Sequence, residues 1–588
     1  MADAMTTDRL VGVILEQHRA WERMAWSKLT EFAEGEKRYR GDIHRDFSKK
    51  ALGFADLTDM GFHRVVESVT SAVDAVTFGD DPAVTVVAST LDREREEQAA
   101  VSQGLLDRIS QDMALESKVL RMERSWAMHG TVFGEVYWNY RHRWVGRKDE
   151  NGKAMVEKVP YIDLPDLRPL PIWRVSFDPG AESVETAEWV MIEEDMTEDQ
   201  LQKLINAARA SGNAMWKPLK RMEAGEPGQM PETPGSMVAD QVRIDRGEDT
   251  EAARTGRFRV KRRYGRHPIR KDLPVDYLIV IVNDADWVIQ VPNWYDHGLK
   301  PLVGAKFITL DESMYGLGLT HLLGRTHDQI IARMNYMQDL LVLGLYGSWM
   351  ANGSQKTNEV LTLAPGKVIY ANQWGGGLTH LVPNLGPLMA GWQFVNSEQE
   401  HMRQTSGATT TQQAMTTGDT ATEIKIVAGE SGRRVLGQAR QFSVGIMRPF
   451  WFMAHEMCRQ LMEVPVRVAV TGRPDVMAER EGLVPDPRIL IKIPTDLESR
   501  PALLRRMSSA LQHMVQAVAV VPEMKAYIGP LVKRMVALMG VDVRGTAAEQ
   551  EASEKDKAEQ QQRMQMLAQV QALQAGGDPG VSAEEEAA

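Results

Sequence analysis

The residues whose types and spacing come nearest to a chemical site are a glycine pair, a Gly-Lys step and two histidines. Tyr315-Gly316-Leu317-Gly318 stands between an expected strand and an expected helix, where a dinucleotide would rest its pyrophosphate on glycine backbone. The third glycine is out of place, because position 321 is His and the next glycine is Gly324. Gly366-Lys367 matches the end of a phosphate loop. No glycine lies five residues before Gly366, however, and Val368 stands where Ser or Thr would hold magnesium, so the chain does not read as a packaging ATPase. His321 and His327 are six residues apart and do not share a helical face as an i, i+4 metal pair would. The single cysteine, Cys458, adds no ligand cluster, and no metal is expected. No Gly-x-Ser-x-Gly elbow is present, and no carboxylate pair sits alone within an apolar pattern. The expectation is a protein that is not an enzyme and carries no cofactor.

Composition narrows the class. The 588 residues are too many for one ordinary core, and 43% hydrophobic with 25% charged residues suits a folded soluble protein of several domains. A net charge of −11 argues against tight, site-specific DNA binding, which needs a cationic excess to displace phosphate counterions. An acidic protein can still surround DNA without holding it. One cysteine excludes an intrachain disulfide and fits a reducing compartment. The N-terminus lacks the pattern of a signal peptide, and the apolar runs 277–282 and 340–345 are far shorter than a membrane span. No membrane insertion is expected.

Hydrophobic periodicity predicts an α+β chain. Helices are expected over 8–40, 65–78 and 91–128, with a strand entered through Gly130. Strands follow at 156–162, 173–177 and 189–193, then a helix from Thr197, with Gln200 completing a capping box. Residues 211–256, rich in Gly and Pro, read as a mobile loop. The basic stretch from Arg254 to Lys271 reads either as a phosphate-facing patch or as a strand with a solvated cationic face. Strands at 277–282, 287–291 and 306–310 complete an antiparallel sheet. A long apolar helix spans 316–344, roughly 44 Å at about 1.5 Å per residue. Residues 345–387 are a small β-rich module with a turn at Ala364-Pro365-Gly366. A helix over 389–404 precedes an uncharged Thr/Gln/Gly segment. A capped helix then runs over 420–462, with Thr420 and Glu423 as its capping box and Pro449 as its kink. Helices are expected again over 500–518, 523–539 and 547–574, and 576–588 is a flexible acidic tail.

That order of elements resembles the portal proteins, or head–tail connectors, of short-tailed phages. Tyr315-Gly316-Leu317-Gly318 opening a long helix is similar to the start of the first stem helix in that family. Thr420-Ala-Thr-Glu423-Ile-Lys-Ile-Val-Ala-Gly429-Glu430, continuing through Val435-Leu436-Gly437 to Met447-Arg448-Pro449, resembles the kinked helix after the tunnel loop. The turn Val175-Ser-Phe-Asp178-Pro179 is similar to one in the wing. The resemblance implies a wing over 1–315, stem helices at 316–344 and 388–404, and a clip at 345–387. It further implies a tunnel loop at 405–419, a helix returning to the wing over 420–499, and a crown or C-terminal barrel over 500–575. It implies a ring of twelve copies at one capsid vertex, through which double-stranded DNA enters and leaves. The partners would be terminase, tail adaptor or nozzle proteins, and the major capsid and scaffolding proteins. Localisation would be the virion, after assembly in the host cytoplasm.

The residue types suit a conduit. Thr409, Thr410, Thr411, Gln412, Gln413 and Thr416 offer exchangeable hydrogen bonds without the salt-dependent grip of cations. Arg325, Arg333 and Arg403 are expected either to form basic rings in the channel or to pair between subunits with Asp328, Asp339 or Glu398. In the clip, Trp349, Lys356, Lys367 and Trp374 are the expected partner-binding residues. The competing readings are another virion assembly component, such as a tail adaptor, and a packaging enzyme.

Overall fold

The computed structural model describes residues 2–43, 55–78, 84–88, 93–148, 154–210, 212, 214–220, 224–270, 272–353, 366–371, 378–381, 384–407, 434, 436–470, 473–485 and 487–491. All belong to one compact unit, Met1–Leu497. The class is α+β.

The first helix, α1 (Ala2–Arg40), is longer than periodicity predicted. It buries Leu10, Ile14, Trp21, Ala25, Leu29 and Phe32, spaced to fall on one face. Helix α2 (Gly61–Thr77) buries Phe62, Val65, Val66, Val69, Val73 and Val76 in the same way. After strand β1 (Val84–Ala88), the single helix expected over 91–128 is in fact two, α3 (Arg93–Asp112) and α4 (Leu115–His129). The break is at Ala114, whose φ of 48° is left-handed.

Gly130 ends α4 with φ 83° and releases the chain into β2 (Thr131–Lys148), which pairs antiparallel with β3 (Ala154–Leu170) as a long ribbon. A six-stranded sheet follows. Its members are β4 (Val175–Phe177), β5 (Trp189–Thr197), β6 (Met215–Trp216), β7 (Arg257–Arg266), β8 (Asp276–Val282) and β9 (Asp286–Pro292), in the order β4-β5-β7-β8-β9-β6. Both faces of this sheet are covered. Ile279 and Ile281 of β8 join the core beneath α1, while Leu278, Val280 and Val282 join the core beneath α5 (Glu198–Ala210). This explains why β8 is an unbroken apolar run rather than an alternating one. The capping box at the start of α5 is as predicted: Thr197 N–H donates to Gln200 Oε1 at 3.1 Å, and Gln200 N–H to Thr197 Oγ1 at 3.4 Å.

Two expectations fail in this region. Residues 211–256 are not simply a loop, since they contain α6 (Pro234–Asp245) and α7 (Thr250–Arg254). Thr233 caps α6 through a reciprocal box with Ser236, Pro234 starts it, and α6 packs on α1. The basic strand β7 is neither a phosphate-facing patch nor a solvated face. Arg259, Lys261, Arg262 and Arg263 are buried, and the first three pair with carboxylates of the same chain.

Strand β10 (Leu302–Lys306) adds to β2, and the chain turns into α8 (Leu319–Tyr346). The 28 residues of α8 extend about 42 Å. A small sheet of β11 (Ser348–Asn352), β12 (Val368–Ala371) and β13 (Thr379–Leu381), ordered β12-β11-β13, separates α8 from α9 (Pro387–Ser406). The two helices pack on each other. Later, residues 436–442 are helical, Ser443–Met447 form a π-helical turn, and α10 (Arg448–Leu461) continues to the strands β14 (Val466–Val470), β15 (Arg473–Ala478) and β16 (Pro487–Ile491).

Candidate functional site

The long helix is positioned by glycines at its root. A Cβ on Gly316 would lie 2.5 Å from Gly130 O and 2.6 Å from Ile308 O, and one on Gly318 would lie 2.3 Å from Gly130 N and 2.4 Å from Met128 O. Gly130 returns the constraint, since its own Cβ would meet Gly318 N at 2.4 Å. Three glycines therefore let the turn into α8 press its backbone onto the turn leaving α4. Thr131 Oγ1 accepts from Gly316 N–H at 2.8 Å and fixes the contact. The Tyr-Gly-Leu-Gly motif has a packing role here.

From that root, the first half of α8 is embedded and the second half emerges. Leu319, Leu323, Ile330 and Ile331 are buried. Asp328 takes a bidentate bond from Arg38 of α1, at 3.0 and 2.7 Å. His327 Nε2 lies 3.0 Å from Asp59 O, and its burial lowers its proton affinity. Asn335 clamps Leu57, accepting from its N–H at 2.6 Å and donating to its carbonyl at 3.1 Å. Asp339 accepts from Ala55 N–H at 2.6 Å. Further along, Tyr336, Leu341, Leu345 and Tyr346 of α8 are exposed, as are Met389, Trp392 and Phe394 of α9. Together they form an apolar, aromatic surface on paired helices.

The predicted arginines have different surroundings. Arg325 is exposed and pairs with no carboxylate among the described residues. Arg333 lies over Phe394, 3.6 Å from the ring centroid, and so ties α8 to α9. Arg403 pairs with Glu400 at 3.3 Å. Of the carboxylates weighed as partners for these arginines, Asp328 and Asp339 hold groups of their own chain.

In the β module, Trp349 of β11 packs against His380 of β13 with ring centroids 4.6 Å apart, and its N–H donates to Lys367 O at 2.8 Å. Strands β11, β12 and β13 fall within the β-rich module expected over 345–387. Pro449 is the second residue of α10, directly after the π-helical turn. That wider turn accommodates a ring that would crowd the carbonyl four residues back in a regular helix. Gly445 within it approaches β10, where a Cβ would lie 2.7 Å from Gly304 O. Lys356 and Trp374 lie outside the described residues, as do Thr409, Thr410, Thr411, Gln412, Gln413, Thr416, Thr420 and Glu423.

Two buried charge networks hold the β5–β7 region rigid. On one face, Arg174 and Arg259 meet Asp195, at 2.7 and 3.1 Å, and both approach Glu193 at 3.6 Å. On the other, Arg168 and Arg262 bracket Glu135 and Glu194. Burial raises the proton affinity of Glu194 and Asp195, but their arginine partners outweigh it and hold both carboxyls below the usual range. Sequence reasoning missed these networks because the partners are far apart in the chain. It also missed Glu123 of α4. Burial, reinforced by Asp74, raises that carboxyl well above the usual range.

Among the described residues no group of three or more His, Cys, Asp or Glu is placed to hold a metal ion, and no helix is long and apolar enough to cross a membrane. No curated protein matches the chain. The profile of the phage SU10 portal protein family matches residues 145–576, most of the 588-residue chain and the stretch that includes α8, the β module, α9 and the π-turn helix. The glycine-rooted long helix, the β insertion and the second helix packed on the first thus belong to a chain with that family's sequence pattern, and the protein is a member of the phage SU10 portal protein family.

Proposed function

We propose that this portal protein forms a ring of twelve copies at one capsid vertex and serves as a sequence-independent conduit for double-stranded DNA during packaging and ejection. The observation that carries the reading is the family match over 145–576, which runs through the helix–β module–helix order. In this reading residues 1–315 are the wing, α8 and α9 are the stem, and 345–387 are the clip. The clip meets terminase before filling and tail adaptor or nozzle proteins afterwards, through Trp349, Lys356, Lys367 and Trp374. Residues 405–419 are the tunnel loop, and Thr409, Thr410, Thr411, Gln412, Gln413 and Thr416 face DNA. The helix following Thr420 and Glu423 returns to the wing, and 500–575 form the crown or a C-terminal barrel.

The exposed aromatic surface of α8 and α9 supports ring formation, because such a surface is a liability on a free monomer. The chemistry of the loop supports conduction, since neutral hydroxyls and amides touch phosphate without accumulating counterion-release affinity around a ring. Arg325 supplies a candidate basic ring, being exposed and without a carboxylate partner among the described residues. Capsid and scaffolding proteins surround the wing, the particle assembles in the host cytoplasm, and the protein performs no catalysis of its own.

Negative-stain microscopy of the purified chain tests this directly. The expected result is a ring with a central hole and twelvefold symmetry. A monodisperse monomer at micromolar concentration would overturn it.

A further inference from the structure

The β2–β3 ribbon is the least explained part of the fold. Beyond Val136, β2 pairs only with β3, and the ribbon continues to Lys148 and Ala154. Twelve residues from Tyr137 extend roughly 40 Å at about 3.3 Å each. A bulge between Arg141 and His142 leaves Tyr161 as an extra residue on β3. From there outward Tyr140, Arg141, His142, Arg143, Val156 and Tyr161 are exposed, Tyr161 and Val156 by 67% and 66%. Arg143 lies over Tyr161 at 5.9 Å, and Arg141 donates to Asn139 Oδ1 at 3.2 Å. Neither arginine pairs with a carboxylate among the described residues. In sequence the distal parts of β2 and β3 have Arg141, Arg143, Arg147, Lys148 and Lys158 against Glu157. It is a cationic arm on an acidic chain.

The same chain carries an exposed anionic surface. Glu182 and Glu185, in the loop after β4, and Asp311 and Glu312, in the turn after β10, are exposed and form no ion pair among the described residues. Glu182 and Asp311 both lie within electrostatic reach of Lys306, so the two segments flank one end of β10. No ion pair joins arm and patch among the described residues, which leaves their attraction open to act between copies. A contact in which one patch meets a different patch on the next molecule is heterologous, the type that closes rings.

Resting on the portal reading, we propose that the ribbon of each subunit, residues 137–148 paired with 154–161, docks on the neighbouring copy, seating Arg141 and Arg143 on the Glu182–Glu185 and Asp311–Glu312 surface. The exposed apolar groups favour a protein partner over duplex DNA. Phosphates call only for cations, whereas Tyr140, Tyr161 and Val156 gain by being covered, and tyrosine with arginine is the composition of an interface anchor. The prolines of β3 at 160, 165 and 169 blunt strand-to-strand pairing along that edge, which leaves side chains to specify the contact.

The test is ring assembly of the full-length chain by mass photometry across a dilution series, with thermal melting as a control on folding. R141E/R143E is expected to move the assembly midpoint to at least about tenfold higher concentration at an unchanged melting temperature. Adding E182R/E185R/D311R to the same chain is expected to restore it. Rings that form normally in R141E/R143E overturn the proposal, as does a defect that the charge swap does not relieve. Normal rings that lose retained DNA would instead assign the arm to nucleic acid. A wild-type chain that never forms rings defeats the portal reading and this docking together, and is distinguished because no substitution is involved.

Discussion

The guanidinium carbon of Arg333 on α8 lies 3.6 Å from the ring centroid of Phe394 on α9, joining helices that the chain separates by the whole β module. Partial desolvation makes such a contact worth about 1–2 kcal/mol. Arg333→Ala and Phe394→Ala should each destabilise the helix pair. The double variant should cost less than their sum by about that amount, read as non-additivity in urea unfolding. Full additivity would show that the two side chains are merely neighbours.

The turn into α8 makes a sharper prediction. Gly316→Ala and Gly318→Ala each drive a methyl group into backbone atoms that cannot yield independently. Each should destabilise by more than about 2 kcal/mol. Gly146→Ala, where a Cβ meets nothing within 4 Å, should remain within about 0.5 kcal/mol of wild type. Equal melting temperatures for the three variants would contradict the packing role assigned to the motif.

Much of this arrangement could be read from the residues. Period-3.6 spacing identified α1, α2 and α8, because each buries one stripe and local pattern reports that directly, and a capping box marked α5. The Tyr315–Gly318 motif marked the right place, but its reason was hidden. Gly130 lies far upstream, and no local rule shows that two turns will touch. The basic strand β7 misled for the same reason. A run of arginines and lysines reads as solvated until Asp195, Glu135, Glu194 and Asp284 arrive from other elements to pair with it. Helix α6 was missed because Pro234 and Gly235 were taken as loop formers, although Pro is favoured in a first helical turn after a Thr cap. The cationic ribbon had a visible signal, the alternation of Arg141 and Arg143 with Tyr140 and His142, that a search for helices passes over.

The buried network offers a contrast with surface charge. Arg262→Met leaves Glu135 and Glu194 sharing Arg168 alone, in a buried setting. Loss of one partner from such a group costs about 3–5 kcal/mol. Arg257→Met, at the exposed start of the same strand, should change stability by less than about 0.5 kcal/mol. Guanidinium chloride midpoints for the two variants check the difference.

Glu123 should make stability depend on pH in a defined direction. Its folded-state proton affinity is raised, chiefly by burial and then by Asp74, while Thr77 Oγ1 donates to it at 3.1 Å. An acid with a raised affinity in the folded state favours folding when protonated. It therefore penalises stability as pH rises from the ordinary glutamate range through its folded value. Glu123→Gln removes the charge and keeps an acceptor for Thr77. It should stabilise the chain at pH 8, with the gain shrinking toward pH 4. A gain independent of pH would place the effect elsewhere.

Deleting residues 409–417 separates assembly from conduction. The segment follows α9 in the chain and its side chains are neutral, so deleting it leaves the exposed apolar residues of α8 and α9 and the arginines of the ribbon in the chain. Rings of the deleted chain should therefore form at the wild-type concentration, while packaging in extracts falls at least about tenfold or packaged DNA leaks. Replacing Thr409, Thr410 and Thr411 with lysine should instead leave DNA lodged. Each added cation contributes salt-dependent affinity, and a ring multiplies it by the number of subunits. The lysine variant should recover passage as salt is raised and the deletion should not. Only a loop that touches phosphate predicts that difference; a loop acting solely as a covalent tether predicts that both variants respond to salt alike.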